Sequence, residues 1–128
     1  MITDDVMTHE EIKEERLLIF ARKLISRPQH WTKGSYARDE KGISLPRECR
    51  QFAYCYCAVG ATMKAADSLN LSSAAQSARI RLAQVINNST DSLNTSIIDY
   101  NDDVERTHAE ILELFDNAIA SIRLAHHG

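Results

Sequence analysis

The sequence predicts an all-α single domain of four to five helices, with a long loop between the first and the second. Three observations carry this. Apolar residues recur at helical spacing in several separate stretches. Two of those stretches open on a capping box, Thr8 with Glu11 and Thr107 with Glu110. Pro28, Gly34, Gly42 and Pro46 all fall between residues 27 and 46, where the helical pattern breaks.

The first helix is expected over residues 9–26. Ile12, Leu17, Phe20, Ala21 and Leu24 share a face, widened by Leu18 and Ile25. Pro28 ends it, because the residue before a proline disfavours helical backbone. In the loop that follows, Asp39-Glu40-Lys41-Gly42 has the chemistry of a tight turn, with Asp first and Gly last. It leaves residues 36–38 and 43–45 suited to pair as a small β-hairpin. A second helix is expected over 47–68, with Phe52, Tyr56, Val59, Met63 and Ala66 toward the core. Ala53, Cys57, Gly60 and Ala61 make its other face, small enough for a backbone or a ligand to come close. The third helix is expected over 73–87, capped by Ser72 or Ser73 and ended by Asn87-Asn88. A short helix or extended piece follows around 93–100, and the last helix spans 107–125 with Ile111, Leu112, Phe115, Ala118, Ile119 and Ile122 as its stripe. No repeat or linker divides residues 1–128.

A chain of 128 residues with 44% apolar and 26% charged residues can bury a core without metal or disulfide. The net charge of −3 points to no particular partner, but the charge is uneven. From Arg22 to Arg50 there are eight basic residues against three acidic ones, which reads first as a solvated, charge-rich loop and alternatively as a local surface suited to an acidic partner. Residues 1–15 are acidic and lack the apolar core of a signal peptide. The three cysteines, Cys49, Cys55 and Cys57, form no secreted framework. Together these lead to the expectation of a reducing cytoplasm, and no apolar run approaches the roughly 18 residues of a membrane span.

The arrangement closest to an enzyme is Cys57 as nucleophile with His108 as base, oriented by Asn101, Asp102 or Asp103. Against it, Cys57 falls well inside the expected second helix, and a free cysteine usually packs as a small hydrophobe. His108, in the first turn of the last helix, is expected to be an ordinary surface residue; the alternative is that it faces the loop and meets Trp31 or Arg38. A metal site from Cys55, Cys57, His30 and His108 is disfavoured, since residues two apart on a helix point about 200° from each other. No metal or cofactor is therefore expected. The acidic run of Asp99, Asn101, Asp102, Asp103 and Glu105 lacks the spacing of a calcium loop. Nucleic acid is disfavoured as a partner: the aromatic and basic residues between His30 and Lys41 match no recognition motif, and the chain is acidic overall.

The pattern Trp31-Thr32-Lys33-Gly34, Ala37-Arg38-Asp39, Gly42, Cys55-Tyr56-Cys57-Ala58-Val59-Gly60-Ala61, Asn101-Asp102 and Arg106-Thr107-His108-Ala109-Glu110 resembles a family of short bacterial and phage proteins known as a domain of unknown function. The resemblance spans roughly residues 10–120 and implies a shared fold but no established activity. The same residues admit a structural account. Trp31, Arg38 and Asp39 fix the loop, Cys57, Gly60 and Ala61 let the loop or the last helix approach the second helix, and Arg38 clasps Asp102 or Glu110. The leading expectation is thus a non-catalytic interaction or regulatory protein of the cytoplasm, a phage-borne inhibitor of a host system being one case. It would act on a protein partner or pair with a second copy of itself. The contact surface would be the loop 29–44, through Trp31, Lys33, Tyr36 and Arg38. The alternative is a cysteine hydrolase or transferase built on Cys57 and His108.

Overall fold

A computed structural model of the protein describes residues 7–87 and 93–124. The His126-His127-Gly128 terminus, the Asn88 expected to end the third helix and residue 125 of the last helix lie outside them. Among the described residues five α-helices follow one another: α1 (His9–Leu24), α2 (Ala58–Leu69), α3 (Ser72–Asn87), α4 (Leu93–Asp102) and α5 (His108–Leu124). Between α1 and α2 lie two short strands, β1 (Ala37–Arg38) and β2 (Cys55–Tyr56), and two 3-10 segments, Pro28–His30 and Arg47–Phe52. The expected all-α class with a β-paired loop is what forms. No helix among the described residues is long and apolar enough to cross a membrane.

Both capping boxes close. Thr8 Oγ1 accepts from the Glu11 amide at 3.1 Å while Glu11 Oε1 accepts from the Thr8 amide at 3.0 Å. Thr107 and Glu110 do the same at 3.2 and 2.9 Å. These bonds satisfy amides that a helix start otherwise leaves orphaned. At the far end of α2, Asn70 takes the left-handed conformation (φ 56°), and the Leu71 amide reaches back to the Ala66 carbonyl at 2.9 Å. α3 begins at Ser72, one residue earlier than expected.

α1 packs against α2, α3 and α5, and α3 against α4 and α5 as well. Leu17, Leu18, Ile25, Val59, Leu82, Ile97, Ile111, Phe115 and Ile122 are fully buried at their junction. Alanines fill much of the rest, among them Ala21, Ala61, Ala65, Ala78, Ala83 and Ala118, so the helices come close together. Ile12, expected on the buried stripe of α1, is instead exposed. Arg81 of α3 meets α1 through Glu14, 2.9 Å away and itself buried, and through Glu11 at 3.8 Å.

The second helix differs from the expectation. Residues 47–68 are not one helix: Arg47–Phe52 is a 3-10 segment, the chain then extends through β2, and α2 starts only at Ala58. The cause is hydrogen bonding from a distant segment. The amides of Tyr54 and Cys57 donate to the carbonyls of Arg38 (2.8 Å) and Tyr36 (3.2 Å), and Ala37 registers with Tyr56. Tyr54-Cys55-Tyr56-Cys57 is aromatic and alternating, and suits a pleated ladder. Phe52, expected in the core, consequently points outward at 65% exposure.

The hairpin anticipated within the loop forms as a single bridge, Arg38 to Ser44, flanked by bonds from Leu45 N to Ala37 O (2.9 Å) and Asp39 N to Ile43 O (3.0 Å). Its turn is held by Asp39, whose Oδ1 accepts from Lys41 N and Ile43 N at 2.9 and 3.0 Å, and by Gly42 at φ 85°. β1 is thus the middle of three extended pieces, and Trp31-Thr32 adds a fourth by bridging to Tyr56.

The ladder lies directly on α2. A Cβ built on Gly60 would sit 1.9 Å from the Tyr36 carbonyl oxygen and 2.8 Å from its carbon. Only a glycine admits that approach. Gly60→Ala is expected to lower unfolding stability by about 3 kcal/mol, because backbone rather than a flexible side chain must give way. Chemical denaturation followed by the fluorescence of the single tryptophan measures it; an unchanged midpoint would refute the close seating.

Candidate functional site

The loop is fastened to the helical body by one buried amide. Asn101, in the last turn of α4, is fully buried. Its Oδ1 accepts from the Trp31 indole N–H at 2.7 Å and from the Ala58 amide, in the first turn of α2, at 3.0 Å. Its Nδ2 donates to the Thr32 carbonyl at 3.0 Å and to Asp102 Oδ1 at 2.9 Å. All four hydrogen-bonding positions of the side chain are filled. Asp102 Oδ1 also accepts from the Gly34 amide at 3.0 Å. The end of α4 therefore grips residues 31–34 and the start of α2 together. The sequence presents Asn101 as an orienting group, as part of an acidic run and as part of the family pattern, but nothing local marks a buried Asn as a hub.

Three of the four residues expected to make outside contact use their polar groups to hold the loop. Trp31 is half-buried, with its N–H on Asn101 and its ring 5.9 Å from that of His108. Lys33 reaches the carbonyls of Asp103 (2.6 Å) and Val104 (3.4 Å), just past the end of α4, where a cation meets the negative end of the helix dipole. Its ammonium also lies 5.5 Å from the centre of the Trp31 ring. Arg38 does not clasp Asp102 or Glu110. Its guanidinium donates to Thr32 Oγ1 (3.0 Å), Lys33 O (3.0 Å) and Gly42 O (3.1 Å), knitting the loop to itself. Glu110 instead caps α5 and pairs with Arg106 at 3.6 Å. The fourth, Tyr36, is exposed.

Cys57 is the N-cap of α2 rather than a residue within a helix. Its Sγ accepts from the Gly60 amide at 3.3 Å, and the residue is buried. Burial pushes its thiol up to about 11; the Gly60 and Val59 amides oppose the rise, and the nearby Asp102 carboxylate adds to it. Cys57 and Asp102 line a common cleft of about 320 Å³ that His108 does not line. His108 Nε2 donates to the Ile25 carbonyl at 2.7 Å, and no hydrogen bond joins the imidazole to Cys57. His30 lies elsewhere, with Nδ1 donating to the Tyr54 carbonyl at 2.6 Å. Among the described residues no three His, Cys, Asp or Glu side chains are grouped to hold a metal ion.

Two outcomes follow from this geometry. Asn101→Leu strands the Trp31 N–H, the Ala58 N–H and the Thr32 carbonyl, and is expected to cost about 4 kcal/mol; a loss below about 1 kcal/mol in urea denaturation would show the amide to be peripheral. For Cys57 the folded-state value lies above the unfolded value, which is near 9.0. Its contribution is therefore fully present below pH 9 and is lost as pH rises toward 11. Cys57→Ser, which keeps a capping oxygen, is expected to flatten that alkaline decline, and stability measured from pH 8 to 11 in both proteins checks it.

No curated protein and no solved structure matches the chain. Residues 10–121, which include the Trp31 loop, the Cys57 cap, Asn101 and both ends of the clamp, match the sequence model of a family of unknown function, DUF6197, and the chain belongs to that family.

Proposed function

We propose that this protein is a small, non-catalytic interaction protein of the cytoplasm that regulates a protein partner through the outer side of its pinned loop. A phage-borne member acting on a host system would be one instance. The observation that supports it is where large apolar side chains remain exposed. Of seven among the described residues, four (Tyr36, Ile43, Phe52 and Tyr54) fall between residues 36 and 54. The backbone carrying them is fastened by the β ladder, by Arg38 and by the Asn101 clamp, so binding would order little further chain. Aromatic side chains on a rigid support are the usual anchors of protein interfaces. Lys41 and Arg47, both exposed, would give the surface a basic rim suited to an acidic partner surface.

The alternative, a cysteine hydrolase or transferase, has in its favour that Cys57 and Asp102 line one cleft. It would require a thiolate within reach of an imidazole. The raised Cys57 thiol and the commitment of His108 to the Ile25 carbonyl weigh against it.

The test is a paired substitution, Tyr36→Ser with Phe52→Ser, on side chains whose exposure leaves stability nearly unchanged. Quantitative co-purification from the native host is expected to lose one partner that the wild-type protein holds in fixed ratio. If the partner set and the solution mass stay the same, the loop is not the contact surface.

A further inference from the structure

We propose that the cleft between the Arg47–Phe52 segment, α2 and the first turns of α3 is a binding site for a small phosphorylated molecule with an apolar body. The cleft encloses about 400 Å³, the size of a small-molecule site. Arg47, Arg50 and Arg79 line it, and Asp67 is its one acidic residue. Asp67 is already paired with Arg50. Even so, Nε and Nη1 of Arg50 are shut away from solvent without a hydrogen-bond partner, and so is Nε of Arg79. Among the described residues Arg47 and Arg79 have no carboxylate partner. They instead repel one another: burial and then the Arg47 charge pull the Arg79 guanidinium below its ordinary value.

Three arginines facing one carboxylate, with buried donors left unmet, are unfavourable in the empty protein. A phosphate would offset the excess positive charge, and guanidinium groups that turn toward it would bring their buried donors within its reach. Its oxygens accept from guanidinium forks in the paired geometry that arginine favours, and its charge offsets the Arg47–Arg79 repulsion. The remaining wall, with Met63 and Val59 on α2 and Tyr36 on the loop, is apolar and would take the body of the ligand. The cleft adjoins the docking surface and shares Tyr36 and Arg47 with it, whereas Ile43, Phe52 and Tyr54 do not line it.

The experiment compares inorganic phosphate, phenyl phosphate and phenol at constant ionic strength, by calorimetric titration and by melting temperature. Phenyl phosphate is expected to bind more tightly than inorganic phosphate, phenol not to bind, and phosphate to raise the melting temperature relative to chloride. Arg79→Met is expected to raise the melting temperature of the ligand-free protein and to weaken phenyl phosphate about thirtyfold or more. Arg47→Met, on the outer segment, should weaken it without unfolding the protein. Unaltered affinity in both variants would overturn the site. Equal affinity for phosphate and phenyl phosphate would overturn the organic ligand, and phosphate behaving like chloride would overturn both.

Discussion

Asn101 offers two acceptor positions and two donors, and two segments far from it in sequence take them up together with its neighbour Asp102. The indole of Trp31 and the first turn of α2 share its oxygen, while Thr32 and Asp102 share its nitrogen. A buried amide so completely matched rigidifies what it touches, because any displacement leaves several polar groups unmet at once. This explains why a segment with little regular structure has a definite shape. Residues 31–34 are tied to the end of α4, Lys33 and Gly34 add bonds to the carbonyls just past it and to Asp102, and the extended pieces beyond are then positioned to pair.

The second constraint is steric. β1 can pair with β2 only because the Tyr36 backbone settles against Gly60, a position with no room for a side chain. That seating places Cys57 at the helix start, where its sulfur meets the Gly60 amide, and buries it. Burial outweighs the opposing pull of the capping Gly60 amide and leaves the thiol harder to deprotonate than a free one. The same seating turns Tyr36, Ile43, Phe52 and Tyr54 outward and leaves the arginine-lined cleft between the loop and α3. Both surfaces thus derive from one backbone contact.

Much of the helical frame was legible because its signals are local. A capping box needs only four residues, and both were read correctly at Thr8 and Thr107. The close approach at Gly60 was also legible, as a face of small residues. The stretch from Arg47 to Cys57 was misread because Phe52, Tyr56, Val59 and Met63 recur at helical steps, whereas the bonds that decide its conformation come from Tyr36 and Arg38. The Arg38 clasp was assigned to carboxylates, but its acceptors are largely backbone carbonyls, which every residue has and no sequence pattern marks. The arginine cleft was invisible for a related reason: Arg79 belongs to another helix, and only the packed fold sets it beside Arg47.

The clamp also dictates an order of assembly during synthesis. Trp31 and its acceptor are 70 positions apart. While the ribosome is still making α2 and α3, the tryptophan segment has no anchor and its hairpin nothing to lean on. The outer face of the loop therefore takes its final form only when the end of α4 has emerged, so a nascent or prematurely terminated chain lacks the finished surface that the mature molecule displays.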